Sequence, residues 1–154
     1  MSHERPEAPE ILTAIDHVGL AVPDLEAAIE FHTETLGLRL IHREENREQG
    51  VSEAMLGAAN PGSPPVLQLL AAIDDQSPIA RFIDRFGSGM HHLAFRVPDV
   101  DLASAEFRRR GLQLLYDAGK VGTRGSRINF IHPKDTGGVL IELVESAEED
   151  RYDG

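Results

Sequence analysis

Cysteine is absent from all 154 residues, which removes disulfides, thiolate metal ligands and cysteine nucleophiles together. No apolar run approaches the roughly 18 to 20 residues that a helix needs to cross a bilayer, so a membrane span is excluded. Cations are scarce: 15 Lys and Arg stand against 26 Asp and Glu, a net charge of −11. That is the wrong sign for a phosphate backbone, and no nucleic-acid partner is expected. An anionic small molecule would meet the same repulsion unless a local positive charge outweighed it; a divalent metal ion supplies such a charge. The first ten residues lack the basic-then-apolar order of an export signal, so a cytoplasmic location is expected. With 41% hydrophobic and 27% charged residues, the chain can bury the core of one domain.

An internal repeat is present. His17-Val18-Gly19-Leu20-Ala21-Val22-Pro23-Asp24 aligns with His92-Leu93-Ala94-Phe95-Arg96-Val97-Pro98-Asp99 at an offset of 75. Gly37-Leu38 aligns with Gly111-Leu112, and Gln68-Leu69 with Glu142-Leu143, at an offset of 74. Each copy therefore places one His, and one amide or carboxylate, at equivalent points.

Hydrophobic patterning predicts strands near 15–22, 38–45, 51–58 and 66–72, then a second set near 91–97, 112–116, 127–131 and 139–144. A helix follows the first strand of each set, near 25–35 and 100–110. Asp24 serves as an N-cap of the first; Gly37 and Gly111 end them. Between the sets, Ser77 and Pro78 open a helix over 77–86, with Ile79, Phe82, Ile83 and Phe86 at helical spacing. The fold class expected is α+β: two tandem βαβββ modules, about 14–73 and 89–145, in one domain spanning 11–145. Residues 1–10 are expected to be disordered and 146–154 to form an acidic tail.

Strand alternation assigns directions. Val18, Leu20 and Val22 form an apolar row, leaving His17, Gly19 and Ala21 on the open face with room beside the imidazole. In the repeat, Leu93, Phe95 and Val97 are apolar, which puts His92 with Ala94 and Arg96 on the open face and His91 on the other. Gln68 and Glu142 interrupt otherwise apolar strands. A buried His or Glu is costly unless paired or bound to a metal. Convergence of His17, Gln68, His92 and Glu142 would give two imidazoles, an amide oxygen and a carboxylate. Such a set suits a divalent ion in octahedral geometry with about two open positions. Taken singly, each of the four has an ordinary structural reading; matched offsets favour the metal. Glu48, in a Gly-assisted turn, is a candidate for proton transfer, although with Glu44 and Glu45 it also reads as a solvated acidic patch.

Several segments carry a resemblance beyond the repeat: Asp16-His17-Val18-Gly19-Leu20-Ala21-Val22, Glu48-Gln49-Gly50-Val51, Asp75-Gln76-Ser77-Pro78-Ile79-Ala80, Gly89-Met90-His91-His92-Leu93-Ala94-Phe95, and His132-Pro133-Lys134-Asp135-Thr136-Gly137-Gly138-Val139-Leu140-Ile141-Glu142-Leu143. Over about 15–145 the chain resembles the vicinal oxygen chelate (glyoxalase/bleomycin resistance/dioxygenase) superfamily and, within it, the methylmalonyl-CoA epimerases. The resemblance implies paired modules curling a mixed sheet around one divalent metal, most often cobalt, with manganese, nickel or zinc as substitutes. It carries the metal ligands onto His17, Gln68, His92 and Glu142, and a proton-transfer carboxylate onto Glu48. It further implies an acyl-CoA thioester substrate, epimerised at C2 through a metal-stabilised enolate, and a homodimer. Lys120, Arg124 and Lys134 are candidate partners for CoA phosphates. Rival readings are another enzyme of the superfamily, a glyoxalase-type lyase or dioxygenase, and a drug-sequestering protein of the same fold. Glyoxalases usually carry Glu where this chain has Gln68, dioxygenases use three ligands on iron, and the sequestering proteins typically lack the ligand set.

Overall fold

The computed structural model describes residues 11–60 and 63–147; the expectations for 1–10 and for the tail beyond 147 lie outside them. Eight strands form one mixed sheet: β1 (Ala14–Ala21), β2 (Arg39–Asn46), β3 (Val51–Gly57), β4 (Val66–Ala72), β5 (Gly89–Arg96), β6 (Lys120–Val121), β7 (Arg127–Ile131) and β8 (Ile141–Glu145). Their order is β2-β3-β4-β1-β5-β8-β7-β6. The first module reads 2-3-4-1 and the second 5-8-7-6, so one half mirrors the other about the antiparallel β1–β5 pair. Parallel pairs β1–β4 and β5–β8 flank that seam. This is the α+β arrangement of two βαβββ modules.

Helices α1 (Leu25–Glu30), α2 (Pro78–Phe86) and α3 (Val100–Arg109) start where side-chain caps dictate. Asp24 accepts from the Ala27 amide, Ser77 from Ile79, and Asp99 from Asp101 and Leu102, each satisfying amides that have no helical partner. The α1 helix runs on as a π-helical segment, Phe31–Thr35. Its apolar side joins Leu25 to Ala54, Leu56 and Leu69 in one core; α3 joins Val100 and Ala103 to Val97, Ile131 and Leu143 in its counterpart. Leu69 and Leu143, both fully buried, anchor the convex face, each contributing about 1.5–3 kcal/mol by burial. Alternation then turns their neighbours Gln68 and Glu142 to the concave face.

One element departs from expectation. The predicted strand at 112–116 contributes only an isolated bridge, Leu114 to Ile131; the edge strand is the short β6. The Asn129 side chain accepts from the Tyr116 amide at 3.0 Å, taking the place of the backbone carbonyl that would have continued a ladder.

Candidate active site

The four central strands, β4, β1, β5 and β8, carry Gln68, His17, His92 and Glu142 in that order across the seam. All four are buried. His17 Nε2 lies 3.0 Å from His92 Nε2 and 3.0 Å from Glu142 Oε1, and His92 Nε2 lies 3.1 Å from Glu142 Oε1. These three donor atoms could hold one metal ion.

Gln68 fits the same group. Its Nε2 donates to Glu53 Oε2 at 3.0 Å and to Thr123 Oγ1 at 3.2 Å, while its Oε1 is buried with no hydrogen-bond partner. A buried carbonyl oxygen without a donor is costly in a folded protein; a cation is the partner such an atom calls for. Gln68, His92 and Glu142 share the wall of a cavity of about 250 Å³. A second cavity of about 320 Å³ touches the cluster from the side of Asp16, His17 and Arg96.

Room for the imidazoles comes from the strands opposite. His17 faces Ala94 and His92 faces Gly19 across the seam. A Cβ at Gly19 would sit 2.2 Å from the His92 ring, so only glycine leaves His92 its place. Two bulges also shape the site. In the β1–β5 register Ile15 pairs with Phe95 and His17 with Ala94, skipping Asp16; Gly19 pairs with His92 and Leu20 with Met90, skipping His91. A bulge places two consecutive side chains against one partner residue and breaks alternation. His91, expected on the opposite face, therefore lies with Nδ1 2.9 Å from His92 Nδ1 and lines the cavity.

The placement of Glu48 requires correction. It occupies the exposed turn 47–50 between β2 and β3 and lines neither cavity. Gly50, at φ +73°, closes that turn, and Glu48 is exposed. Besides Glu142, the carboxylate lining the cavity is Glu53, three residues into β3 and only 2% exposed. Thr123 donates to its Oε1 and Gln68 to its Oε2. Thr123 belongs to a 3₁₀ turn in which Arg124 takes φ 58°, ψ 35°, a left-handed conformation costing about 1–2 kcal/mol outside glycine. The signal that could have found Glu53 is the one that found Gln68: a polar side chain on the Val51 and Met55 face of an apolar strand.

Burial pushes Glu53 up to about 7, with Glu44 and Glu142 adding to the rise and the Thr123 hydroxyl opposing it. In the cluster, burial works against every charge and is outweighed. His17 is carried up to about 10 by hydrogen bonds to Asp16 and Glu142, and Glu142 is held well below the usual carboxylate range by His92 and His17. Burial, with His92 alongside, pulls His91 down to about 4, which keeps it neutral. A metal ion held by these groups would require His17 and His92 neutral and Glu142 ionised.

A sequence profile of the Glyoxalase/Bleomycin resistance protein/Dioxygenase superfamily matches residues 16–130. The fold is similar to the crystal structure of methylmalonyl-CoA epimerase from Mycobacterium tuberculosis, 48% identical, covering 94% of this chain and 95% of that one with a TM-score of 0.87. A single-substitution variant of the Streptomyces coelicolor methylmalonyl-CoA epimerase, in complex with 2-nitronate-propionyl-CoA, is 46% identical over 89% of this chain and 96% of that chain, with a TM-score of 0.83. The mitochondrial methylmalonyl-CoA epimerase of Mus musculus is 34% identical over 88% of this chain and 74% of its own length.

Proposed function

The chain belongs to the glyoxalase/bleomycin resistance/dioxygenase superfamily and, within it, to the methylmalonyl-CoA epimerases, enzymes of the isomerase class; from that premise we propose that it interconverts the C2 epimers of methylmalonyl-CoA with the aid of one divalent ion, cobalt, held by His17, Gln68, His92 and Glu142. The observation that carries this reading is a triad of donor atoms 3.0–3.1 Å apart, two of whose residues, His92 and Glu142, line a cavity that also contains the buried Glu53. When bound, the ion supplies Lewis-acid stabilisation to the oxygen on which enolate charge develops.

Removal of the C2 proton falls to the protein's own groups. Glu53, rather than Glu48, is the base: it lines the cavity, and a value near 7 suits proton transfer at neutral pH. Thr123 and Gln68 donate to its two oxygens and hold the carboxyl group in place at the cavity wall. Apolar Leu70, Ile79 and Ile128 line the same space; they exclude water from the carbanion and leave room for a small C2 substituent. Charge favours the amide at position 68. A divalent ion with one Glu and three neutral ligands leaves about +1 for an anionic enolate, whereas a second Glu would cancel it.

The proposal includes an acyl-CoA thioester as ligand, a homodimer and a cytoplasmic location; no helix among the described residues is long and apolar enough to cross a membrane. Exchange of the C2 proton of methylmalonyl-CoA in deuterated buffer tests the reaction. Exchange that needs cobalt, stops with chelator and is lost in Glu53→Gln supports it. No exchange in cobalt-loaded protein overturns it.

A further inference from the structure

The two bulges fall at positions 16 and 91, which the 75-residue repeat makes equivalent, and each lies immediately before a metal-site imidazole. Each bulged residue reaches back to its neighbour's Nδ1, the ring nitrogen that faces away from the cluster. Asp16 Oδ2 lies 2.7 Å from His17 Nδ1, and His91 Nδ1 lies 2.9 Å from His92 Nδ1. In a regular strand neither contact could form, because consecutive side chains leave opposite faces.

The two contacts differ in kind. Asp16 is itself held: its other oxygen accepts from Arg96 Nε at 3.0 Å and Nη2 at 2.7 Å. The position equivalent to Arg96 in the first module is Ala21, so nothing polar braces His91 from that strand; it packs edge-on against Phe82, with ring centroids 4.9 Å apart. For His92 to present the Nε2 lone pair to the cluster, its Nδ1 must carry the hydrogen and donate to His91 Nδ1, a neutral acceptor. His17 donates instead to a carboxylate anchored by a guanidinium.

We infer that Asp16, through Arg96, and His91 are positioning residues that set the tautomer and orientation of the two metal-binding imidazoles, with the first module gripping its imidazole more firmly than the second. This rests on the metal reading above. A ligand imidazole that donates to a carboxylate is both more basic and more rigidly aimed, and loss of such a partner typically lowers metal affinity about 10- to 100-fold.

Cobalt(II) titration of the full chain, followed by calorimetry and by visible absorption, tests it. Asp16→Ala is expected to lose about 10- to 100-fold in affinity and to shift the absorption band at saturating cobalt, with Asp16→Asn partly restoring both. His91→Ala is expected to lose less than Asp16→Ala. Arg96→Met should weaken binding when Asp16 is present and add little in the Asp16→Ala background. Should Asp16→Ala fail to fold, Asp16→Asn and Arg96→Met carry the same test. Affinity within twofold of the parent and an unchanged spectrum in Asp16→Ala and Arg96→Met, with His17→Ala no longer binding, overturns the inference while sparing the metal reading. Undiminished binding by His17→Ala overturns both.

Discussion

The two modules place their metal-site residues alike and surround them differently. Gln68 and Glu142, His17 and His92, Leu69 and Leu143 occupy equivalent positions. Yet Glu53, the cavity carboxylate, corresponds at an offset of 75 to Ile128, which is buried, apolar and part of the same wall. His92 needs Gly19 opposite, whereas His17 tolerates Ala94. Under the proposed function, duplication accounts for a symmetric grip on an ion and divergence for the chemistry: the first module supplies the proposed base, Glu53, and the second places Ile128 at the equivalent position. The second module then reaches across, through Thr123, to hold the base contributed by the first.

The largest effect expected from disturbing this comparison is at the base. Glu53→Gln should lower turnover by about 10²–10⁴-fold while cobalt stoichiometry stays at that of the parent. Glu48→Gln, in the solvent-facing turn, should leave turnover within about twofold. Steady-state assays with metal analysis of the same samples separate these outcomes. Nearly as large is the difference between the two cross-strand positions. Gly19→Ala forces the His92 ring to move and should cost at least about tenfold in cobalt affinity. Ala94→Gly adds no atoms and should cost only about 0.5–1 kcal/mol of stability, read from chemical denaturation. Replacement of Gln68 by Glu should lower turnover with metal retained, both by neutralising the site's charge and by setting a second carboxylate against Glu53; equal or faster turnover would remove the charge argument.

The pH dependence is a gentler probe. Glu53 must be ionised to accept a proton, so kcat/KM should fall about tenfold per pH unit below about 7 and level off above it. Stability runs the other way. A carboxyl raised from 4.5 to about 7 in the folded state binds its proton more tightly when folded, so metal-free protein should lose up to about 3 kcal/mol as pH rises from 4.5 through 7. Glu53→Gln should abolish that part of the slope.

Much of this was legible in the sequence, and the reasons are specific. The repeat paired His17 with His92 and Gln68 with Glu142, and alternation turned them to one face because the strands that carry Leu69 and Leu143 are regular there. The same reasoning failed at His91 and could not see Asp16 as its counterpart in the first module, since a bulge breaks the period of two without leaving a mark such as Gly or Pro. The resemblance carries the proton-transfer carboxylate onto Glu48, whereas a lone Glu in a strand, such as Glu53, declares itself only when its neighbours are seen to bury it. The strand expected at 112–116 gave way to a side-chain contact from Asn129, a long-range event that no local propensity encodes.

In the proposed function both halves of the molecule close on a single ion. Metal content of the purified chain, measured by mass spectrometry after equilibration with cobalt and removal of free metal, addresses it directly. One cobalt per chain is expected, lost in His17→Ala and lost equally in His92→Ala. Two ions per chain, or one that survives removal of either imidazole, would contradict it.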